Sequence, residues 1–479
     1  LIIFPNGLIR KECRPPHATI HSFTADPTNF AEEFSWGKFI VMQTRFMRRS
    51  IASRLWKGIG RFASSAVGKS DSVWSRTSTT STIWAERFKL ESDRKSMESK
   101  DVMIRPKTAS DSSFNLSLPF ASDPDLKAQY LRFDGGVRFE LILEDLDAAA
   151  GNIAYSHCDG GFPNSPPLSL VTAACDGIEM MKRFPMDRDL DIVGRVTWVG
   201  SSSMEIWIQI VEAENVNAQI LQAYFVMVAR DENTKKSIKV NPLVVEKDTE
   251  EQWRFLQGEA NKKNRIQEAQ SSLYVTEPTP REVVMIHKLM ADHKRSGMFD
   301  KRGAMFKRGD EGVSPGSGIL MKEAVLESVT VTQPQNQNTK GKIFGGYLMR
   351  SAFELSRSVA YAFCGPNSRP FFIAVDDILF LRPVEIGSMI RFKARVVYAP
   401  GGSSRAFQVK VSSEITNLRT GETDTTNIFH FTYATQSCSV PEVVPESYQE
   451  AMDYLDGKRR FENCKELALR SRSELFIFY

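Results

Sequence analysis

Two stretches of the sequence hold residue types that can do chemistry at a carbonyl group. The segment from Phe139 to Tyr155 reads as a helix, and Asp147 has Leu143, Ala150, Gly151 and Ala154 at helical neighbour spacings. Its carboxylate therefore lies on an apolar, small-residue stripe. Burial there disfavours the charged form and moves the pKa toward that of a working base. About 200 residues further on, Gly345 and Gly346 open a second helix. The first N–H groups of a helix are unpaired and carry a positive partial charge. Paired glycines leave an oxygen room to approach them, which is the arrangement of an oxyanion hole, although glycines also let a helix pack closely on a strand. Asn338, in the preceding loop, has an amide that donates and accepts at once, or it shapes the Thr339-Lys340-Gly341 turn.

Other polar residues carry plainer readings. Glu354 has Arg350 at i−4 and Arg357 at i+3, the pattern of a solvated ion-pair face. Asp176 and Asp376 hold matching strand positions, which points to a structural role. His157 follows the first helix, where a cation suits the dipole. Met349 and Phe363 read as core. Six cysteines occur with no CxxC pair, so neither a zinc site nor a disulfide framework is signalled, and unpaired thiols suit a reducing compartment. No metal or cofactor is expected. A net charge of +4 gives no reason to expect a nucleic-acid partner, and no apolar run is long enough to span a bilayer.

The elements that must position these residues come as a repeat. In the second unit, a helix over Gly345 to Phe363 is followed by an apolar run over Phe371 to Phe380. Strand-like segments then cover Met389 to Tyr398, Ala406 to Leu418 and Thr425 to Thr435. The first unit keeps the order: a helix over Phe139 to Tyr155, a run over Leu168 to Ile178, and strands over Leu190 to Val199, Met204 to Ala213 and Ile220 to Arg230. The strands alternate apolar and polar residues, as in Met204-Glu205-Ile206-Trp207-Ile208, the pattern of half-buried antiparallel strands. An antiparallel sheet wrapped around one helix, twice, is the α+β solution. Two such units can join edge to edge.

This gives a leader over residues 1–100, a first domain over 101–245, a connector over 246–321 with a helix from Glu250 to Gln270, a second domain over 322–440 and a tail over 441–479. Within the leader, Met42 to Lys69 is rich in Arg and Ser, lacks Asp and Glu, and is amphipathic, the composition of a mitochondrial transit peptide. Met42 is the expected start and Leu1 to Val41 is expected to lie upstream of it. Ser64 to Lys100 is Ser/Thr-rich and reads as a linker.

The ordered motifs resemble a known family. Asn338-Thr339-Lys340-Gly341-Lys342-Ile343-Phe344-Gly345-Gly346 is similar to the N-x-x-G-x-x-x-G-G loop and helix opening of hotdog-fold acyl-CoA thioesterases. Val375-Asp376-Asp377-Ile378 and Pro383-Val384-Glu385-Ile386-Gly387 resemble their next strand and turn. Leu143-Glu144-Asp145-Leu146-Asp147, Phe225 to Asp231 and Tyr454-Leu455-Asp456-Gly457 narrow the resemblance to the mitochondrial double-hotdog members, over roughly residues 105 to 465. It implies tandem hotdog domains in a pseudo-dimer, hydrolysis of fatty acyl-CoA in mitochondria (matrix or inner-membrane-associated), and a homo-oligomer of double-hotdog chains. It implies Asp147 as base or nucleophile, with Asp145 and Glu144 as rivals, Asn338 as polar orienter and the Gly345 and Gly346 amides as oxyanion donors. Phe344 and Arg405 are the implied substrate contacts, Arg405 for a coenzyme A phosphate. The converse pairing looks broken: the first unit opens its helix with Phe139-Glu140, has Phe133 in the place of Asn338, and the second unit has Phe353 near the position of the acid. One working site and one degenerate site are expected. The rival functions are a non-hydrolytic acyl-CoA-binding protein and a hydratase on the same fold; the Asp and His pair of such hydratases is not found here.

Overall fold

The computed structural model describes residues 77–85, 104–158, 168–296 and 318–471, with short breaks at 233, 366–367, 417–419 and 437–438. The expected transit peptide and the residues before it lie outside the described residues. A short helix, α1, covers 78–85. The first unit then runs β1 (Phe114–Leu118), α2 (Pro124–Tyr130), α3 (Phe139–Cys158), β2 (Leu168–Met180), β3 (Leu190–Val199), β4 (Ser203–Glu212) and β5 (Asn215–Asp231). Helices α4 (Glu250–Ser271) and α5 (Pro280–Ser296) connect to β6 (Gly318–Leu320) and β7 (Val325–Val331). The second unit continues with α6 (Gly345–Cys364), β8 (Pro370–Phe380), β9 (Met389–Tyr398), β10 (Ala406–Thr416), β11 (Thr423–Thr435), β12 (Glu442–Val444) and α7 (Tyr448–Ser471).

Ten strands form one sheet in the order β1-β3-β4-β5-β2-β8-β11-β10-β9-β7. Read from its two ends inward, this order is the same five strands met twice. The units join where β2 pairs antiparallel with β8, with Ala174 opposite Leu379 and Glu179 opposite Ala374. Adding 200 to the first-unit residue of one pair and subtracting 200 from its second-unit partner gives the other pair, so the junction maps onto itself, as a two-fold relation requires. The expected edge-to-edge union is this single pairing.

Helices α3 and α6 are the buried helices of the two units and pack against each other. Almost every residue of α3 is buried, including Leu143, Leu146, Ala150 and Ala154, so its charged residues had to find partners inside the protein. The expected ion-pair face around Glu354 is present in part: Arg350 meets Glu354 at 3.3 Å and the Glu354 side chain is 43% exposed, but both arginines also reach buried carboxylates. Arg350 reaches Glu144 of α3 at 3.2 Å, and Arg357 reaches Glu140 at 3.2 Å, both glutamates being about 1% exposed. The i±3 and i±4 pattern hid these partners, because they come from the other unit.

The stretch read as a tail also differs. Helix α7 lies on the sheet, where Arg460 meets Asp377 at 2.7 Å and Asp456 at 3.0 Å. On α4, Arg265 pairs with Asp176. Asp376 accepts from Thr432 Oγ1 at 3.2 Å. Asp176 and Asp376 are thus held by partners within the fold, in keeping with a structural role. The carboxyl of Asp377 is held low, at about 2, because Arg460 and His430 outweigh its burial.

Candidate active site

The site forms where α3 of the first unit meets the start of α6 of the second. The loop into α6 is set by Asn338: its Oδ1 accepts from the Lys340 and Lys342 amides at 2.9 and 3.1 Å. Gly341 turns the chain at φ +73°, a conformation that side chains disfavour. Asn338 therefore does shape the turn, and its NH2 is the group it can offer to the cavity that it lines. Phe344 is the N-cap of α6 and supplies no side-chain acceptor to the helix start.

Asp147 stands against this helix end. Its side chain is 3% exposed; Oδ1 accepts from Thr172 Oγ1 of β2 at 2.8 Å, and the Gly346 N–H also donates to the carboxylate. Burial pushes the carboxyl up to about 6, with the two donors opposing that rise. A β-carbon on Gly345 would come within 2.8 Å of Asp147 Oδ2, so glycine there is what allows acid and helix to meet.

A cavity of about 210 Å³ opens beside this pair. Its apolar wall includes Ile83, Trp84, Tyr155, Leu170, Met227, Phe344, Leu348 and Phe380, and cations from Arg230, Lys340, Lys342 and Arg382 also line it. Of the three rival acids, Asp147 alone lines the cavity. Glu144 is paired with Arg350, and Asp145 faces away, into a cluster of hydroxyl groups. Asp147, Asn338, Phe344 and Gly345 are brought together; Gly346 joins through its bond to Asp147. Arg405 is not brought to the cavity: its guanidinium donates to the Gln436 carbonyl at 3.2 Å. His157 is buried with Nε2 on the Asn241 carbonyl at 2.8 Å, and Met349 and Phe363 are core.

The converse pairing is filled with rings. Phe353 lies 5.5 Å from Phe139 and 5.1 Å from Phe372 between centroids. Phe372 is Thr172 moved on by 200 residues. The acid and its hydroxyl partner in one half thus correspond to two aromatic rings in the other. Glu140, at the start of α3, is paired with Arg138 and Arg357.

The sequence reading missed Thr172, Ile83 and Trp84. Thr172 was detectable as a hydroxyl whose counterpart in the repeat is Phe372, in step with the change from Asp147 to Phe353. Ile83 and Trp84 fall within Ser64–Lys100, read as a linker. That reading is corrected for 78–85, which is helical and buried on the core side.

The family model of the thioesterase superfamily matches residues 340–418. The mitochondrial acyl-coenzyme A thioesterase 9 of Bos taurus is 38% identical, over 80% of this chain and 86% of its own. The chain belongs to the acyl-coenzyme A thioesterase family. Another relative is the mitochondrial acyl-coenzyme A thioesterase 10 of Mus musculus, 35% identical over 80% of this chain and 85% of its own. Among solved structures, the acyl-CoA hydrolase of Staphylococcus aureus is 23% identical and covers 33% of this chain and 96% of its own, with a TM-score of 0.30. In this thioesterase the hotdog unit occurs twice, and the meeting of α3 with α6 is internal to one polypeptide.

Proposed function

We propose that this chain hydrolyses fatty acyl-CoA to free acid and coenzyme A in mitochondria, at one site shared by its two units. The contact between Asp147 and the start of α6 is the observation that carries this reading. In its ionised form Asp147 takes a proton from water as the water oxygen attacks the thioester carbon. Charge gathers on the carbonyl oxygen at the uncapped start of α6, where the Gly345 N–H receives it while the Gly346 N–H stays on Asp147. When the intermediate collapses, the C–S bond breaks and the proton passes from Asp147 to the coenzyme A sulfur. Thr172 holds the carboxylate in position, and the Asn338 NH2 orients water or carbonyl.

The acyl chain occupies the apolar wall, and the phosphates of coenzyme A lie along Arg230, Lys340, Lys342 and Arg382. The mitochondrial names of the relatives and the Arg-rich, acid-free segment from Met42 to Lys69 support the location. The proposed location within mitochondria is the matrix or the inner-membrane surface; no helix among the described residues is long and apolar enough to cross a membrane. A homo-oligomer is part of the same proposal, supported by the edge strands β1 and β7 that end the sheet.

The test is thiol release across a ladder of acyl-CoA chain lengths, with Asp147→Asn beside the parent protein. Loss of a general base lowers turnover by about 10²–10⁴-fold, with circular dichroism unchanged. An Asp147→Asn protein at full rate contradicts the assignment.

A further inference from the structure

Asp145 is fully buried two residues from Asp147, and the mechanism does not use it. Its partners are neutral. Thr77 Oγ1 donates to Oδ1, Thr80 Oγ1 donates to the same oxygen at 2.7 Å, and Tyr130 OH donates to Oδ2 at 2.5 Å. Thr79 lies 2.8 Å from the same Tyr130 hydroxyl. Thr77 also caps α1, its Oγ1 accepting from the Thr80 N–H at 2.9 Å. A buried carboxylate is costly unless several donors converge on it. Here two of those donors belong to the first turn of α1 and its cap. Asp145 thus ties α1 to the middle of the core helix that carries Asp147.

One turn further along α1 stand Ile83 and Trp84, 2% and 7% exposed. Both line the cavity. The Trp84 ring meets Phe344 edge-on, 4.8 Å between centroids at 75°, so α1 is braced against the residue that opens α6. The cavity volume of about 210 Å³ is below the roughly 300–1,000 Å³ of common ligand pockets, so any wall residue bears on what fits.

We propose that α1 is the end wall of the acyl cavity, with Ile83 and Trp84 fixing the acyl length accepted and Asp145 as the residue that positions them. This rests on the acyl-CoA reading of the cavity. Asp145 touches no substrate; it acts through α1.

The test is kcat and KM for butyryl-CoA and palmitoyl-CoA with full-length variants. Trp84→Ala raises the palmitoyl-to-butyryl ratio of kcat/KM by about tenfold or more, the scale of one methylene's fit in an apolar pocket. Trp84→Phe shifts it less, in the same direction. Thr80→Val and Asp145→Asn shift it likewise, with the loss on butyryl-CoA falling in KM, whereas Thr80→Ser, which keeps the hydroxyl, restores the parent ratio. Both Trp84 variants changing the two substrates equally, or not at all, would overturn the proposal. So would a collapse of kcat on both substrates in Asp145→Asn. The reading on which it rests fails separately, through Asp147→Asn at full rate, and a ratio shift in the Trp84 variants stands apart from that result.

Discussion

The carboxylate of Asp147 and the α-carbon of Gly345 are close enough that a methyl group on Gly345 would stand 2.8 Å from Asp147 Oδ2 and 3.2 Å from the Phe380 ring. The two residues are 198 positions apart and belong to different units, yet a side chain on Gly345 would press on the Asp147 carboxylate. Gly345→Ala is expected to displace the carboxylate and crowd the helix start together. Misplacement by about 1 Å costs roughly 10²-fold, so kcat in thiol release should fall by about that factor while the far-ultraviolet spectrum is kept. An unchanged kcat would show that this contact is packing alone.

The pH profile follows from the same burial. The Asp147 carboxyl is pushed up to about 6, and a base works only when deprotonated. Activity should therefore fall as pH drops through about 6. Thr172 opposes the rise by donating to the carboxylate. Thr172→Val removes that donor and keeps the shape, so the acid limb of kcat/KM should move upward by about one pH unit. A limb that stays in place, or moves down, would place the titrating group elsewhere.

Asp147 should also cost stability where it is useful. Its folded pKa of about 6 lies above the usual 3.8. Between these values the folded state binds more protons than the unfolded state, so stability falls as pH rises from about 4 to about 6 and the full penalty persists above. Asp147→Asn removes the penalty and should stabilise the protein at pH 8 by about 1–3 kcal/mol, reduced by imperfect amide hydrogen bonding. Below about pH 4 the advantage should vanish. Urea unfolding at the two pH values measures it, and destabilisation at pH 8 would contradict the account.

Much of this arrangement was legible in the sequence. Strands β3 and β9 begin and end where alternation and flanking turns placed them. Asp147 was visible because helical spacing put it among small apolar residues, and Gly345 because paired glycines open a helix. What escaped has a common cause: partners distant in sequence. Thr172 sits in a run that is apolar overall, and its role depends on a helix of the same unit crossing above it. The threonines before Trp84 read as solvated linker because hydroxyl-rich stretches compete poorly for a core. The hydroxyls of Thr80 and Thr77 are instead taken up by Asp145, 65 and 68 positions away. Arg350 and Arg357 looked local because their nearest charges are, while Glu144 and Glu140 lie 206 and 217 positions off. Local pattern finds elements and buried acids; it does not find which unit supplies the partner.

The central claim is that two hotdog units make one site, the other having closed over Phe353, Phe139 and Phe372. Isothermal titration of the parent protein with a hydrolysis-resistant thioether analogue of butyryl-CoA counts sites directly. The account predicts one analogue bound per chain, and binding of two per chain would contradict it.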